Sequence, residues 1–325
     1  MMKSIRQLLY TAMASVALLA SPVGAQDFPQ KPVRMVIGFP PGGTPDVIAR
    51  ALAQPMGGAL GQPILVDNKV GAGGLNGIQD LLRSPADGYS ILMADVSVFA
   101  ILPAMRPGVY DPTKDLIPLG NAITSPVYLM INSGVPAKTF PEFVDLAKSK
   151  PGQYSYGTPG VGTLHHFFME AIKLHFGLNI QHVPFKGVAQ MTVSLVGGDV
   201  QAGIVAMTAA RPFIRDGKIR AIAASTRERD PVLSPDVPTV YEFGAKDIDY
   251  AGDIGLFAPV RTPKAAVDKL AAAVAKAVQD PDFVAKAPSM GANALYRNPE
   301  VFGESVRASY ARFQNLIKAT GIQAQ

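Results

Sequence analysis

The chain has 325 residues, of which 48% are hydrophobic and 17% are charged. This is enough apolar material for one large or two ordinary domains, and it excludes a largely disordered chain. The absence of cysteine excludes disulfides, thiolate nucleophiles and cysteine-based metal centres. The net charge is only +5, and Lys and Arg are scattered singly, so the composition also argues against binding of nucleic acid.

The first 25 residues have the pattern of a cleavable signal peptide. Lys3 and Arg6 form a basic start, residues 8–20 form an uncharged apolar run, and small residues precede a cleavage site at Ala25. The apolar run is shorter than the roughly 20 residues that span a bilayer. The sequence therefore predicts a secreted protein cleaved near Ala25, with an uncleaved anchor as the less favoured alternative.

After the leader, short apolar strands alternate with helical patterns, which is typical of an α/β protein with a mostly parallel sheet. The first predicted elements are strand 33–39, helix 45–60 with Thr44 as its N-cap, strand 64–67, helix 74–83 and strand 90–94. The pattern then begins again with strand 127–132, a helix that Thr139 caps and that ends at Ser149, strand 154–157, helix 164–176, and strands 202–205 and 219–224. The last quarter predicts two amphipathic helices, one after Thr262-Pro263 and one over 299–320, with no strand of its own.

This repetition predicts two lobes with a cleft between them. We expect the C-terminal helices to return to the first unit, with chain crossings near 122–128 and 248–256. The predicted organisation is a signal peptide over 1–25, a first lobe over 26–125 plus 251–325, and a second lobe over 126–250.

Each predicted lobe has a glycine-rich loop between a strand and a helix. Backbone N–H groups at a helix N-terminus bind anions without any Lys or Arg, so two such loops across a cleft are suited to the two ends of a small dianion. The alternative is that both are ordinary tight turns. Neither loop has the dinucleotide or Walker spacing, and no cofactor is predicted. The candidate residues are Pro40, Pro41, Gly42, Gly43 and Thr44 in the first loop and Thr158, Gly160, Val161, Gly162 and Thr163 in the second.

Motifs along the whole mature chain resemble those of the Bug receptors, the periplasmic solute receptors of tripartite tricarboxylate transporters. The shared pattern includes Phe39-Pro40-Pro41-Gly42-Gly43, Gly71-Ala72-Gly73-Gly74, Asp87-Gly88-Tyr89, Gly160-Val161-Gly162-Thr163, His182-Val183-Pro184-Phe185-Lys186-Gly187 and Phe257-Ala258-Pro259. The resemblance implies a periplasmic, two-lobed type II binding protein with the Venus-flytrap fold. It also implies carboxylate capture by backbone amides and water at the two loops, and delivery to a membrane permease. His166 matches the family's histidine at the start of the helix after the second loop, and the resemblance implies that it orders that loop or touches the ligand.

Other positions depart from the family pattern and bear on the ligand. Asp95 and Ser97 follow the third strand, where the family usually has small polar residues. Val205, followed by Met207, stands where the family often has Asp, and Asp253 stands where a bulky aromatic residue is common. Asp95 and Asp253 are suited to an amine or hydroxyl of the ligand if they lie at the cleft, and the alternative is that each caps a turn.

Metal and enzyme functions are less well supported. His165 and His166 point about 100° apart on a helix and cannot chelate one ion together, so no metal site is predicted and His165 is expected to be peripheral. A hydrolase would need Ser97 and His166 to meet across the cleft, and the sequence has no nucleophile motif. We therefore predict a receptor that is not an enzyme. Docking on a sensor kinase is the alternative to docking on a permease.

Overall fold

Two β-sheets organise the chain, and the computed structural model describes residues 28–323 of it. The predicted signal peptide over 1–25 lies outside these described residues. The strands are β1 (Val33–Ile37), β2 (Ile64–Asn68), β3 (Ser90–Asp95), β4 (Leu116–Thr124), β5 (Tyr128–Asn132), β6 (Ser155–Thr158), β7 (Gln181–Pro184), β8 (Ala202–Val205), β9 (Ile219–Ala224), β10 (Ile254–Pro259) and β11 (Asn293–Arg297). The α-helices are α1 (Thr44–Leu60), α2 (Leu75–Arg83), α3 (Leu102–Met105), α4 (Phe140–Ser149), α5 (Leu164–Phe176), α6 (Val188–Gly197), α7 (Met207–Arg215), α8 (Lys264–Val278), α9 (Pro281–Lys286) and α10 (Pro299–Thr320).

The strands divide into one sheet for each lobe. The first sheet has the order β11-β4-β10-β3-β1-β2, and the second has the order β7-β6-β8-β5-β9. The chain leaves the first sheet after β4 and returns to it at β10. At the two crossings the segments lie side by side, because the Gly252 N–H donates to the Ser125 carbonyl over 2.8 Å. The predicted two-lobed α/β fold is confirmed, while the boundaries after residues 125 and 250 stay a prediction.

Both sheets are mixed, so the expectation of a mostly parallel sheet was wrong. Strand β10 is antiparallel to β3 and β4, and β5 is antiparallel to β8 and β9. The reason lies in the crossings. Strands β3 and β8 end at the cleft between the lobes, whereas β5 and β10 begin there, because the connecting chain has just crossed from the other lobe.

Several local expectations also need correction. Strands β4, β7, β10 and β11 were not predicted, and β11 lies between the two C-terminal helices, where no strand was expected. All five residues of β11 are only half-buried at the edge of the first sheet, so this strand carries no apolar run that the sequence would show. Helix α1 begins at Thr44 with Gly43 as the N-cap, whereas the sequence pointed to Thr44 as the cap. The predicted cap of α4 is confirmed, because the Thr139 side chain accepts from the Glu142 N–H.

The C-terminal helices return to the first sheet, as expected. Leu270 and Val274 of α8 are fully buried in one core of that sheet, and Phe302 of α10 is fully buried in the core on its other side. Helix α10 also reaches the second lobe, where the rings of Phe313 and Phe167 have centroids 5.2 Å apart. Within residues 28–323, no helix is long and apolar enough to cross a membrane.

Candidate ligand-binding site

A close backbone approach sets the wall of the cleft beside the first loop. A Cβ on Gly38, just after β1, would lie 2.6 Å from the Cα of Gly74. Real Cβ contacts are essentially never this short, so position 38 needs glycine for the two segments to pack. Strand β1 ends at Ile37, two residues earlier than predicted, and Gly73 beside this contact lines the cleft.

The first glycine loop is held by a buried carboxylate. Gly42 has a φ of 80°, which glycine adopts without strain, and its N–H donates to Asp46 Oδ2 over 2.9 Å. Asp46 also accepts from Arg50 Nε at 3.0 Å and from Asn68 Nδ2 at 2.9 Å. Arg50 is the main cause that lowers the pKa of Asp46 to about 2. Asp46 is therefore ionised at neutral pH and fixes the loop to the first turn of α1.

The second glycine loop repeats this arrangement with a histidine. Gly162 has a φ of 73°, and its N–H donates to His166 Nδ1 over 3.2 Å. The spacing of four residues is the same as that between Gly42 and Asp46. Thr163 caps α5, since its side chain accepts from the His166 N–H at 3.3 Å. The two loops are thus structurally equivalent, and Asp46 and His166 occupy the same position in them.

His166 belongs to a group of stacked rings beneath the second loop. Its ring stacks on His182 with centroids 3.9 Å apart, and His182 Nε2 lies 2.7 Å from Thr158 Oγ1. Burial lowers the pKa of His166, and it lowers the pKa of His182 to about 4. An unprotonated His166 is required here, because only a neutral ring leaves Nδ1 free to accept from Gly162. Thr158 and His166 therefore support the loop from behind.

One cavity of about 540 Å³ lies between the two loops. Its walls come from the first lobe, the second lobe and both crossing segments. The lining residues are Phe39, Thr44, Pro45, Gly73, Asp95, Val96, Ser97, Ile101, Leu102, Met105, Ser125, Val127, Pro159, Gly162, Thr163, Leu164, His165, Ala206, Gly252 and Ile254. The cavity size lies within the range of about 300–1,000 Å³ that is usual for small-molecule sites.

The N-termini of α1 and α5 both reach this cavity. The N–H groups of Gly42 and Gly162 are already used inside their own loops. The backbone N–H groups of Thr44, Thr163, Leu164 and His165 have no hydrogen-bond partner among residues 28–323, and all four residues line the cavity. The free donors thus lie one to three residues beyond the glycines that the sequence singled out.

The cavity carries little side-chain charge. Of the described residues that line it, none is Lys or Arg, and Asp95 and His165 are the groups that titrate. Burial lowers the pKa of His165 to about 4, so this ring is neutral at pH 7. Within residues 28–323, no group of three or more His, Cys, Asp or Glu residues is placed to hold a metal ion.

The structure brings only part of the predicted site to the cavity. Thr44, Asp95, Ser97, Gly162 and Thr163 line it. The predicted residues that do not line it are Pro40, Pro41, Gly42, Gly43, Thr158, Gly160, Val161, His166, Val205, Met207 and Asp253. The loop residues in this set flank the cavity.

Three predicted positions have a cavity-lining neighbour instead. Val205 and Met207 are buried in a core of the second lobe, and Ala206 between them lines the cavity. Asp253 faces away from the cavity and pairs with Arg297 at 2.7 Å, while its neighbours Gly252 and Ile254 line it.

The two neighbouring histidines differ in their outcome, because His166 bonds to the second loop, which is one of the two roles expected for it, while the expectation for His165 was wrong. His165, expected to be peripheral, lines the cavity, and His166 supports the loop. The equivalence of the two loops could have predicted the position of His165. It occupies the place that Pro45 has in the first loop, and Pro45 also lines the cavity. Ser97 and His166 do not form a catalytic pair, because Ser97 Oγ donates to Asp95 Oδ1 at 2.5 Å and His166 Nδ1 accepts from Gly162.

Two sheets, crossing segments and a cleft between the lobes define a two-lobed periplasmic binding protein. Within that class, the chain belongs to the family described as the tripartite tricarboxylate transporter family receptor, whose pattern matches residues 48–322. The resemblance to the Bug receptors is thereby confirmed. This is a family of periplasmic binding proteins that work with tripartite transporters.

Relatives and solved structures agree with this membership. The chain is 33% identical to a protein encoded in the gbd 5' region of Cupriavidus necator, over 96% of this chain and 94% of that one. It is 30% identical to protein BugT of Bordetella pertussis, over 94% of both chains. The structure of periplasmic binding protein BugD matches at TM-score 0.71 and 31% identity, over 92% of this chain and 100% of that one.

Two similar structures contain ligands. Rpa4515 of R. palustris with adipate matches at TM-score 0.74 and 30% identity, over 91% of this chain and 99% of that one. MatC of Rhodopseudomonas palustris with bound malate matches at TM-score 0.71 and 30% identity, over 89% of this chain and 100% of that one.

Proposed function

We propose that this protein is a periplasmic receptor that binds a small organic carboxylate between its lobes and delivers it to a permease of the tripartite tricarboxylate type. The observation that carries the proposal is that two helix N-termini with free backbone N–H groups face one cavity of about 540 Å³. Amides at a helix N-terminus bind a carboxylate oxygen directly and are favoured by the helix dipole. The bound adipate and malate of the two similar structures support this ligand class.

In this proposal each loop binds one end of the anion or one of its carboxylates. In the first lobe the donor is the backbone N–H of Thr44. In the second lobe the donors are the backbone N–H groups of Thr163, Leu164 and His165. Gly42 and Gly162 set the loop geometry, and Asp46 and His166 hold it. The proposal needs no covalent chemistry, and Ser97 and His166 are each engaged in other contacts.

The secretion step is part of the same proposal. We propose that residues 1–25 direct export and are removed near Ala25. The N-terminal sequence of the protein recovered from the periplasm tests this, and recovery of the uncleaved chain in the membrane fraction contradicts it.

A thermal-shift screen against small acids tests the binding function. The panel contains di- and tricarboxylates, aromatic acids and amino acids, each with its amide or alcohol analogue as control. A ligand at a hundredfold excess over its Kd stabilises the fold by about 2.7 kcal/mol, which is easily measured. At least one acid should raise the melting temperature while its uncharged analogue does not. Equal shifts for acid and analogue, or no shift with any acid, would contradict carboxylate capture.

Permease delivery is tested by uptake. A strain that lacks the gene should lose uptake of the radiolabelled ligand and regain it with the intact gene. Normal uptake in the deletion strain, together with loss of a ligand-dependent transcriptional response, would instead assign the receptor to a sensor kinase.

A further inference from the structure

Asp95 is a carboxylate that lines the cavity but belongs to neither glycine loop. It lies at the end of β3 and lines the cavity. Its Oδ1 accepts from Ser97 Oγ at 2.5 Å and from the Val98 N–H at 3.2 Å. Within residues 28–323 no side chain donates to its Oδ2, and the backbone N–H groups of Ser97 and of Asp95 itself also favour the ionised carboxylate. One oxygen of this carboxylate is therefore held in place, and the other is left for the contents of the cavity.

Nothing on the described protein walls balances this charge. No Lys or Arg within residues 28–323 lines the cavity, and His165 is neutral because burial lowers its pKa to about 4. A half-buried carboxylate without a cationic partner is disfavoured, since it has lost part of its hydration and gained no counter-charge. The same desolvation raises the pKa of Asp95. Asp95 therefore lacks a cation or a strong hydrogen-bond donor as its partner. A ligand that enters the cavity can supply this group.

The helix dipoles decide which net charge the cavity favours. Each helix N-terminus acts as about half of a positive elementary charge, so α1 and α5 together supply about one. In its ionised form Asp95 supplies one negative charge, and the described walls of the cavity are then close to neutral overall. A ligand with one carboxylate and one ammonium group keeps that balance. A plain dianion places two more negative charges beside Asp95.

We propose that the natural ligand is an amino acid or similar aminated acid, whose carboxylate binds the helix N-termini and whose ammonium group pairs with Asp95. This inference rests on the proposed function, because it assigns the ligand class of the same cavity. Phe39, Leu102, Met105 and Leu164 give the remaining walls an apolar character, which suits an aliphatic or aromatic skeleton between the two charged groups.

Matched acids test the proposal by calorimetry on the mature protein. The probes are pairs with the same skeleton: succinate with aspartate, glutarate with glutamate, adipate with 2-aminoadipate, butyrate with 4-aminobutyrate and 3-phenylpropionate with phenylalanine. Malate is added as a hydroxylated comparison. In the pairs that bind, the aminated acid should bind at least tenfold more tightly than its partner and than malate. A plain or hydroxylated acid that binds equally tightly or more tightly would overturn the proposal.

Two variants separate the role of Asp95 from general effects. Asp95→Asn keeps the side-chain shape and an Oδ1 that accepts from Ser97 and Val98, so the local structure is retained. It should weaken the aminated acid by tenfold to a hundredfold and leave its plain partner unchanged or tighter. Asp145→Asn removes the same charge from an exposed position on α4 and should change neither.

The outcomes are distinct. Equal losses of affinity for both members of a pair in Asp95→Asn would overturn ammonium pairing. Loss of affinity for the plain acid alone would also overturn it, and would indicate that a protonated Asp95 donates to a carboxylate. If Asp95→Asn does not fold, the preference of the unmodified protein within each pair still decides. If no acid of either kind binds, the proposed carboxylate function itself fails.

Discussion

Gly162→Ala should weaken ligand binding because the two lobes touch at this residue. A Cβ at position 162 would lie 2.7 Å from both Sδ and Cε of Met105, which belongs to the first lobe. Gly162 also has a φ of 73°, which strains any other residue. Gly42→Ala is the matched control, because Gly42 has nearly the same φ of 80° in the equivalent loop and a Cβ there meets nothing within 4 Å.

The magnitudes follow from these two contributions. The left-handed conformation costs alanine roughly 1–2 kcal/mol, and both variants should lose about that much stability. Overpacking costs about 1–3 kcal/mol, and the lower end applies here because the contact is with the flexible end of a methionine. This second cost arises only when the lobes are together. An added cost of about 1.4 kcal/mol in the closed state corresponds to tenfold weaker binding.

The assay compares Kd and the free energy of unfolding in the same three proteins. With the tightest ligand from the thermal-shift screen, Gly162→Ala should bind about tenfold more weakly than Gly42→Ala, while the two unfold at similar denaturant concentration. Adding Met105→Ala to Gly162→Ala should recover most of the affinity. Equal affinity losses in both glycine variants, or no recovery in the double variant, would refute the reasoning that the Met105 contact is part of closure.

Three further predictions concern buried titratable groups. Asp46→Ala removes the acceptor for Gly42 and should destabilise the fold by about 2 kcal/mol at pH 7, with a smaller loss near pH 2, where the carboxylate of the parent protein is itself about half protonated; denaturant titrations at the two pH values measure this. Asp253→Asn removes the charge that pairs with Arg297 and should cost about 1–2 kcal/mol in the same titrations, because Arg297 keeps a neutral acceptor and some access to water. It should leave the preference between aspartate and succinate unchanged in calorimetry, and an altered preference would return Asp253 to the ligand site. His182 should titrate near pH 4 in an NMR titration. Because this histidine binds its proton near pH 6.5 in the unfolded chain, the free energy of unfolding should fall by up to about 3 kcal/mol as the pH drops from 6.5 to 4. A titration midpoint near 6.5 would contradict the burial argument.

The sequence alone determined the class of fold, the two glycine loops and the family. These features are local, since a strand, a glycine turn and a helix start follow one another within about a dozen residues. The collinear motifs then identified the whole arrangement. Strand β11 was not predicted, because its burial depends on an edge position in a sheet whose other strands lie far away in the chain.

Only the tertiary structure decided which of several neighbouring residues in the sequence faces the cavity. Ala206 rather than Val205, Gly252 and Ile254 rather than Asp253, and His165 rather than His166 line it. A shift of one residue turns a strand side chain to the opposite face and a helix side chain by about 100°, so a pattern that is correct to within one residue still places the wrong group in the site.

The tertiary structure also decided which backbone N–H groups are free at the cavity. The sequence identified glycine loops as donors, but Asp46 and His166 use the glycine N–H groups themselves, through contacts that depend on the first turn of each helix. Among residues 28–323, the free donors at the cavity are the next few N–H groups, and Asp95 is the carboxylate that lines it. The proposed anion-binding loops are therefore encoded locally, while the packing of the two lobes sets which charged groups lie around them.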